Sequence, residues 1–306
     1  MKKILLILLL LVFLVGCQPQ AEDIEKTPGT CPFDCKGGNA GVTATIHYPT
    51  EGGNIYTSDR FAPVIEVVDE GEANAEGMLL LTGLDAETFG SYTGCYPINF
   101  YTVLDDPDDQ YYEKIIFDDL PQTSISSEKG SDQMMTMYTR YAYTTYGVYE
   151  VCLTGDPVNE ANCKVTGNKL DSSSSGPLTI TSITEEISKI GGNAITLRLH
   201  VDAQVNAGRN EKLIDIEDTT NPECILPRDE GIDFSDVEVD VVLLGERHDC
   251  GLMRFENGEG EATVTCRIEN LDTSVFIGGQ NLYPGYVELN YGFQNIQSVG
   301  FNIAKG

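Results

Sequence analysis

The densest group of candidate metal ligands in this 306-residue chain lies in LDDPDDQYYE, residues 104–113. Ca²⁺ prefers hard oxygen ligands, and this stretch offers the carboxylates of Asp106, Asp108, Asp109 and Glu113. The spacing departs from the EF-hand loop, which needs a glycine at its sixth position. Two interpretations stay open: a weak calcium site, or a solvated acidic turn between two strands. No other cofactor is expected.

Residues for catalysis are few. The histidines are His47, His200 and His248, and the first two fall on the polar faces of predicted strands. His248-Asp249-Cys250 places a base and an acid beside a sulfur, but a cysteine in a disulfide is not a nucleophile. HExxH, GxSxG, Walker and GxGxxG motifs are absent from the sequence. We expect a non-catalytic protein; the alternative is a carbohydrate-active enzyme that uses loop carboxylates.

Tyrosines cluster in MYTRYAYTTYGVYEVC, residues 137–152. Tyr149 precedes Cys152 by three positions and resembles a tyrosine corner, in which the usual offset is two. The other tyrosines predict an exposed aromatic patch for contact with a protein or a glycan. They are Tyr138, Tyr141, Tyr143 and Tyr146.

One of the nine cysteines lies in the N-terminal apolar segment, and the other eight follow it in the chain. Cys17 stands apart, and the other eight are Cys31, Cys35, Cys95, Cys152, Cys163, Cys224, Cys250 and Cys266. An even number in an exported chain predicts disulfides. Proximity favours Cys152–Cys163 and Cys250–Cys266, the latter flanking an Asn-Gly turn.

The remaining four cysteines leave several pairings open. Cys31 either pairs with Cys35 or ties the N-terminal tether to the first domain, and a Cys95–Cys224 bridge between domains is open. Zinc is the competing interpretation, but the sequence has no pair of CxxC knuckles.

The N-terminus predicts export. Two lysines precede an apolar run at 4–15, which is shorter than the roughly 20 residues of a membrane-spanning helix. LVGC, ending at Cys17, resembles the lipobox of prokaryotic lipoproteins. The resemblance implies a signal peptide at 1–16, a lipidated Cys17, and a location in the cell envelope, outside the cytoplasm and anchored to the membrane.

Charge excludes one class of partner. Without residues 1–16 the chain keeps 17 basic and 48 acidic residues, a net charge of −31. Such a surface repels nucleic acid, so no nucleic-acid partner is expected.

Period-two alternation predicts an all-β protein. Residues 17–41 predict a flexible tether, and a first β-sandwich is expected at 42–167. Its strand candidates are VTATIHY (42–48), APVIEVV (62–68), GMLLLTGL (77–84), INFYTVL (98–104), YEKIIFDDL (112–120), MMTMYTRYAY (134–143) and GVYEVCL (147–153).

The serine run NKLDSSSSGP, residues 168–177, predicts a linker between two domains. A second sandwich is expected at 178–306. Its strand candidates are LTITSITEEI (178–187), AITLRLHVDAQV (194–205), VEVDVVLLG (237–245), EATVTCRIEN (261–270), GYVELNYGF (285–293) and SVGFNIAK (298–305). Residues 206–236 predict an insertion loop that is either a contact surface or plain insertion.

A resemblance extends over most of the mature chain. The stretch from VTATIHY to LTGLD, residues 42–85, resembles the opening of an adhesion-type Ig-like module. The stretch from GPLTITSITEEI to the closing GFNIAK resembles a second module. This order of strands and cysteines is similar to that of poorly characterised archaeal surface proteins. The resemblance implies tandem Ig-like domains on a cell surface, with no known activity and no site residues to carry over. From the anchor, the tether, the all-β pattern and the missing catalytic motifs, we expect a protein that binds another envelope protein or a surface glycan.

Overall fold

The computed structural model describes residues 35, 37–38, 41–56, 61–85, 89, 94–100, 111–116, 131–154, 163–191, 194–220, 234–272 and 280–304. Its elements are fifteen strands and one 3-10 turn. They are β1 (Val42–Tyr48), β2 (Asn54–Tyr56), β3 (Val64–Asp69), β4 (Ala75–Thr82), β5 (Gly94–Phe100), β6 (Tyr111–Ile116), β7 (Ser131–Thr154), β8 (Leu170–Ser173), β9 (Leu178–Gly191), β10 (Ala194–Val205), β11 (Glu211–Ile214), the turn η1 (Ile216–Thr219), β12 (Phe234–Leu243), β13 (Glu246–Glu256), β14 (Glu261–Asp272) and β15 (Gln280–Ala304).

The strands form one large sheet and two small ones. The N-terminal small sheet has the order β1-β3-β6, and the C-terminal small sheet has the order β14-β10-β9. The large sheet has nine strands along β13-β12-β15-β7-β4-β5, with β2 and β11 beside β15 and β8 beside β7. Every described pairing is antiparallel except that of β2 with β15. The prediction of an all-β sandwich is therefore confirmed.

Two long strands join the predicted halves. β7 pairs with β15 along all of its 24 residues, from Ser131 opposite Ile303 to Thr154 opposite Gln280. The sequence predicts two shorter strands in place of each. In the structure the odd-numbered residues of β7 from 133 to 153 are all buried. On the opposite, outer face, polar side chains pair across the strands. Thr144 Oγ1 donates to Asn290 Oδ1 at 2.7 Å, and Thr136 and Ser298 share a hydrogen bond of 3.0 Å.

Both small sheets pack on the same face of the large sheet. Toward the N-terminal small sheet, Phe301 of β15 stacks on Phe61 with ring centroids 5.4 Å apart. Toward the C-terminal small sheet, Gly147 of β7 leaves room for Ile180 of β9. The buried apolar side chains form one continuous core, whose removal from water is the main source of stability. Strands from 42–167 and from 178–306 thus surround one shared core.

The segment that precedes β9 packs against three core tyrosines along a seam, which we define as the rings of Tyr141, Tyr143 and Tyr291 together with residues 174–178. Successive ring centroids lie 6.1 Å apart, from Tyr141 to Tyr143 and from Tyr143 to Tyr291. Ser174 and Ser175 are buried in this seam. A β-carbon on Gly176 would come within 2.9 Å of both Thr145 Oγ1 and Tyr143 Cε1, so only glycine fits without displacement.

The segment at 168–177, which the sequence predicts as a linker between two domains, packs against the large sheet. β8 pairs with β7 opposite Gly147–Tyr149, and the segment that follows fills the seam. Upstream, Asn168 Oδ1 accepts hydrogen bonds from the backbone of Leu170 and Ile183. Serine, glycine and proline are needed here because the space is narrow and the backbone must be hydrogen-bonded, rather than for flexibility.

A buried ion pair fixes the same segment. Lys169 Nζ lies 2.8 Å from Glu185 Oε1, and both side chains are almost fully buried. The Glu185 carboxylate also accepts from the backbone N–H of Cys152 at 3.0 and 3.1 Å. Burial raises the pKa of Glu185, while the Lys169 ammonium and the Cys152 amide oppose that rise. Such a pair contributes specific positioning more than net stability.

The described part of the 206–236 segment belongs to the large sheet and its outer face. β11 extends the sheet beside Gly292–Asn295 of β15. Residues 215–220, which we call the strap, then turn onto the outer face and contact β15, β7 and β4. Residues 221–233 lie outside the described residues, and the prediction of a contact surface stays a prediction. In the described ranges, no helix is long and apolar enough to cross a membrane.

Candidate functional site

The four tyrosines predicted as one patch lie on two opposite faces of β7. Tyr141 and Tyr143 are 1% and 2% exposed in the core, whereas Tyr138 and Tyr146 are half-buried on the outer face. The prediction of a shared exposed patch is wrong for Tyr141 and Tyr143. The reason is the strand period of two, which sends odd and even positions to opposite sides.

The core tyrosines hold the seam through their hydroxyl groups. Tyr143 Oη accepts from the backbone N–H groups of Glu72 at 2.8 Å and Ala73 at 3.1 Å, and donates to the Ser175 carbonyl at 3.2 Å. Tyr291 Oη lies 2.9 Å from Thr145 Oγ1. Burial raises the pKa of Tyr141, Tyr143 and Tyr291, so these hydroxyls stay protonated and structural.

Tyr149 is also a structural residue. Its ring is fully buried, and its hydroxyl points to the Val242 carbonyl on β12 at 3.4 Å. The hydroxyl thus reaches a backbone group 93 residues along the chain, whereas a tyrosine corner bonds the backbone a few residues upstream. Tyr149 is a structural residue, but it does not form the predicted corner. Burial, and then the nearby Glu185 carboxylate, raise the pKa of Tyr149.

The outer face of the large sheet carries the candidate site, which we call the arginine–tyrosine face. Its members come from four adjacent strands: Arg247 of β13, Asp240 of β12, Tyr286 and Glu288 of β15, and Tyr146 of β7. Register brings them together, because Glu288 stands opposite both Asp240 and Tyr146.

An arginine bridges three strands of this face. Arg247 Nη1 lies 2.8 Å from Asp240 Oδ2, and Arg247 Nη2 lies 2.5 Å from Glu288 Oε2. The Arg247 side chain is 54% exposed, whereas that of Glu288 is 11% exposed. The guanidinium therefore presents one side to solvent while its inner edge is held by two carboxylates. A planar cation fixed in this way is preorganised for contact with a ligand.

Two tyrosines continue the face beyond Glu288. The Tyr146 and Tyr286 ring centroids are 6.5 Å apart with a 57° angle between planes. Burial raises the pKa of Tyr146 to about 12, helped by the Glu288 carboxylate and Tyr286 and opposed by Arg247. Burial and Glu288 likewise raise the pKa of Tyr286. Both rings keep their hydroxyl protons at neutral pH and can donate hydrogen bonds.

The electrostatics of Arg247 follow from its partners. Its partial burial by itself lowers the pKa, but the Glu288 and Asp240 carboxylates more than offset this and raise it. The guanidinium thus stays charged under all conditions in which the protein is folded.

The histidines do not assemble a catalytic group. His47 Nε2 contacts the Glu66 carboxylate, and His200 Nδ1 lies 2.9 Å from Thr265 Oγ1, both on strand surfaces as predicted. Beside His248, Cys250 is oxidised in a disulfide, so the HDC run offers no thiol nucleophile.

The two disulfides favoured by proximity are confirmed. Cys152, near the end of β7, bonds Cys163, and Cys250 bonds Cys266. The second bridge ties β13 of the large sheet to β14 of the C-terminal small sheet. Cys35 and Cys95 are disulfide-bonded as well. Cys17, Cys31 and Cys224 lie outside the described residues.

The calcium prediction is not tested by the geometry. Asp106, Asp108 and Asp109 fall outside the described residues, as does the side chain of Glu113. In the part of the chain that the structure describes, no group of three His, Cys, Asp or Glu side chains could hold a metal ion.

Comparisons with known proteins give no relative. No protein-family model matches the chain, and no curated protein is significantly similar to it.

Arg247, Glu288 and Tyr286 are site residues that the sequence reasoning missed. A signal was present for two of them: in GYVELNYGF, Tyr286, Glu288 and Asn290 occupy the alternate positions that face away from Val287 and Leu289. Their meeting with Tyr146 and Arg247 depends on strand register, which the sequence alone does not fix.

Proposed function

We propose that this chain is an extracytoplasmic binding protein, held at the membrane through a lipidated Cys17, that serves adhesion or envelope scaffolding rather than catalysis. Its proposed partner is another envelope protein or a surface glycan. Two observations support the location: the LVGC sequence at the N-terminus, and the Cys152–Cys163 and Cys250–Cys266 disulfides. Disulfides persist mainly in oxidising compartments.

We also propose that residues 42–167 and 178–306 are two Ig-like modules fused through a shared sheet. In support, the first half supplies β1, β3 and β6 of one small sheet together with β4, β5 and β7 of the large sheet. The second half supplies β9, β10 and β14 together with β12, β13 and β15. Each half therefore resembles a sandwich, and the β7–β15 pair is the fusion.

The observation that carries the binding proposal is the arginine–tyrosine face. Tyrosine and arginine are the residues most enriched at binding hot spots. Here they lie on four paired strands of a large sheet, so little conformational entropy is lost when a partner binds. The face also points away from both small sheets, which leaves it accessible to a large partner.

The test is site-specific photocrosslinking of the full lipidated chain on intact cells. One crosslinker replaces Leu252, which is 48% exposed on β13 beside the face. The control crosslinker replaces Thr265, which is exposed on the outer face of the C-terminal small sheet. We expect the Leu252 position alone to capture one specific protein or glycan, and Tyr286→Ser to weaken that capture.

Two outcomes contradict the proposal. Capture of the same abundant components from both positions removes the face as a specific site. Turnover of a glycan from a panel, lost when a pair of carboxylates is neutralised, supports the carbohydrate-active enzyme instead.

A further inference from the structure

Arg140 lies on the outer face of the large sheet yet is only 4% exposed. Its Nε donates to Gln294 Oε1 at 2.8 Å, and Gln294 is equally buried. Its Cζ lies 5.8 Å from the centroid of the Tyr138 ring. Its Nη1 is sealed from solvent and has no hydrogen-bond partner among the residues that the structure describes. A guanidinium nitrogen that carries part of a positive charge is therefore left unsatisfied.

The strap causes this burial. A β-carbon on Gly292 would come within 2.8 Å of the Ile214 and Asp215 carbonyl oxygens and of Thr219 Cγ2. Glycine at this position thus lets the strap lie directly on β15. The strap goes on to contact β7 and β4, so it passes over the stretch of sheet in which Arg140 sits.

The cross-strand row beneath the strap carries two cations, and the strap itself carries the carboxylates of Asp215, Glu217 and Asp218. Register places Met78 of β4, Arg140 of β7, Gln294 of β15 and Lys212 of β11 side by side. With strands about 4.8 Å apart, Arg140 and Lys212 stand roughly 10 Å apart at the backbone. Asp218 of the strap attracts the guanidinium electrostatically, but it does not hydrogen-bond Nη1. In a chain of net charge −29, a row with two cations is unusual.

Burying part of a charge without a partner is expensive in any protein. Gln294 accepts from Nε and the Tyr138 ring lies against the guanidinium, whereas Nη1 lacks an acceptor among the described residues. We propose that a small monovalent anion, of the size of a halide or formate, binds between Arg140 Nη1 and the strap. The anion supplies an acceptor for Nη1 and fastens the strap to the sheet.

The first experiment uses bromide as the probe. Crystals of the whole chain grown in bromide are expected to show an anomalous peak within hydrogen-bond distance of Arg140 Nη1. In solution, bromide is exchanged for gluconate at constant ionic strength. The unfolding midpoint is expected to rise with the bromide concentration. At saturation, each tenfold rise in bromide should change the unfolding equilibrium constant about tenfold, as for one bound ion.

Variants separate this site from general salt effects. Arg140→Met is expected to abolish the bromide dependence of stability. Arg267→Met is the control, because Arg267 is 57% exposed and pairs with Glu269, and it should keep the dependence. Asp218→Asn removes the nearest competing negative charge, so it should strengthen bromide binding at least severalfold. If Arg140→Met does not fold, Asp218→Asn and Arg267→Met still decide the question.

Three results overturn the proposal. In the first, the crystals show the Asp218 carboxylate bonded to Nη1 and no anomalous peak. The stability of the parent is then independent of bromide, and a dependence on bromide arises only in Asp218→Asn. Another is a water molecule at Nη1 and a stability that is the same in bromide and gluconate. A third is a peak whose occupancy has no effect on stability, which identifies an adventitious ion only.

Discussion

At the scale of single residues, buried polar groups determine how the parts of this molecule fit. Tyr143 joins the turn at Glu72–Ala73 to the Ser175 carbonyl, and the Glu72 carboxylate accepts from the Ser175 N–H at 2.7 Å. A hydroxyl that both donates and accepts can satisfy several backbone groups in a space with no room for water. The seam is thus specified by hydrogen bonds whose geometry permits a single arrangement of the segment at 174–178.

Gly176→Ala is expected to destabilise the protein by about 1–3 kcal/mol, the usual cost of overpacking. The added methyl would overlap Thr145 and Tyr143 in the seam. Gly300→Ala is the matched control, because a β-carbon there meets its nearest atom, a flexible Glu51 oxygen, at 3.4 Å. Urea unfolding of both variants measures the difference. Equal stabilities would show that the seam is not tightly packed.

Asp69 predicts a pH dependence. It is 6% exposed at the end of β3, beside Tyr143, Glu70 and Glu72. Burial raises its pKa from 3.8 to about 6, opposed by the Gly71 N–H and aided by Glu70. The folded state therefore holds the proton more tightly than the unfolded state. Ionisation of the Asp69 carboxyl therefore destabilises the fold. This destabilisation is absent below about pH 4 and grows as pH rises to about 6.

Asp69→Asn removes that ionisation and keeps an acceptor for Gly71. The variant should gain stability over the parent as pH rises from 4 to 6, reaching on the order of 2–3 kcal/mol above that. Urea unfolding between pH 4 and 7.5 measures the gain. Glu76→Gln, at an exposed position of β4, controls for the loss of one negative charge. A gain from Asp69→Asn that is constant across this range contradicts the assigned pKa.

At the scale of elements, the sequence predicted where most strands lie but not how far they extend. β1 and β10 match their predicted ranges, because alternation is regular and turn residues flank them. The short strands β2, β8 and β11 were missed, since each is held by its neighbour in the large sheet rather than by its own pattern.

The strap and the seam could not be predicted from the sequence, for a related reason. Their polar and small residues resemble loop composition, and what orders them is contact with distant positions. Ser175 depends on Tyr143, which is 32 residues away, and Gly292 makes room for a turn that ends at Thr219. The outer-face site likewise depends on register between β13, β12, β15 and β7. Alternation gives a residue's face and not its cross-strand neighbour.

The Cys250–Cys266 bridge is expected to hold the open side of the sandwich together. It joins β13, an end strand of the large sheet, to β14, an end strand of the small sheet. The bridge closes a loop with a sequence separation of 16, for which chain entropy predicts about 3 kcal/mol. The double substitution of Cys250 and Cys266 to Ala should cost about that amount in urea unfolding and speed hydrogen exchange in β13 before β10. Unchanged exchange in β13 would show that the sheets are held there by packing alone.

At the scale of the whole molecule, the β7–β15 pair joins the two halves of the chain in one sheet. Were the halves separate, each would expose a strand edge of about 24 residues, which is an aggregation hazard. Pairing the two edges removes both hazards and enlarges the sheet to nine strands. The arginine–tyrosine face needs this arrangement, since Tyr146 comes from the first half and its other members come from the second. The binding site that we propose therefore requires both halves of the chain in one sheet.

An insertion tests whether the chain folds as one unit or as two domains joined by a linker. Three residues, Gly-Ser-Gly, placed between Ser173 and Ser174 should lower the stability of the whole chain by several kcal/mol, because the seam loses its register with Tyr143 and Thr145. The same insertion at the exposed Leu244–Gly245 turn between β12 and β13 is the control and should cost little. Calorimetry of the parent should show one transition with equal calorimetric and van't Hoff enthalpies. Two transitions in the parent, or a harmless insertion at 173–174, would mean that the halves fold independently and that the face forms only when they dock.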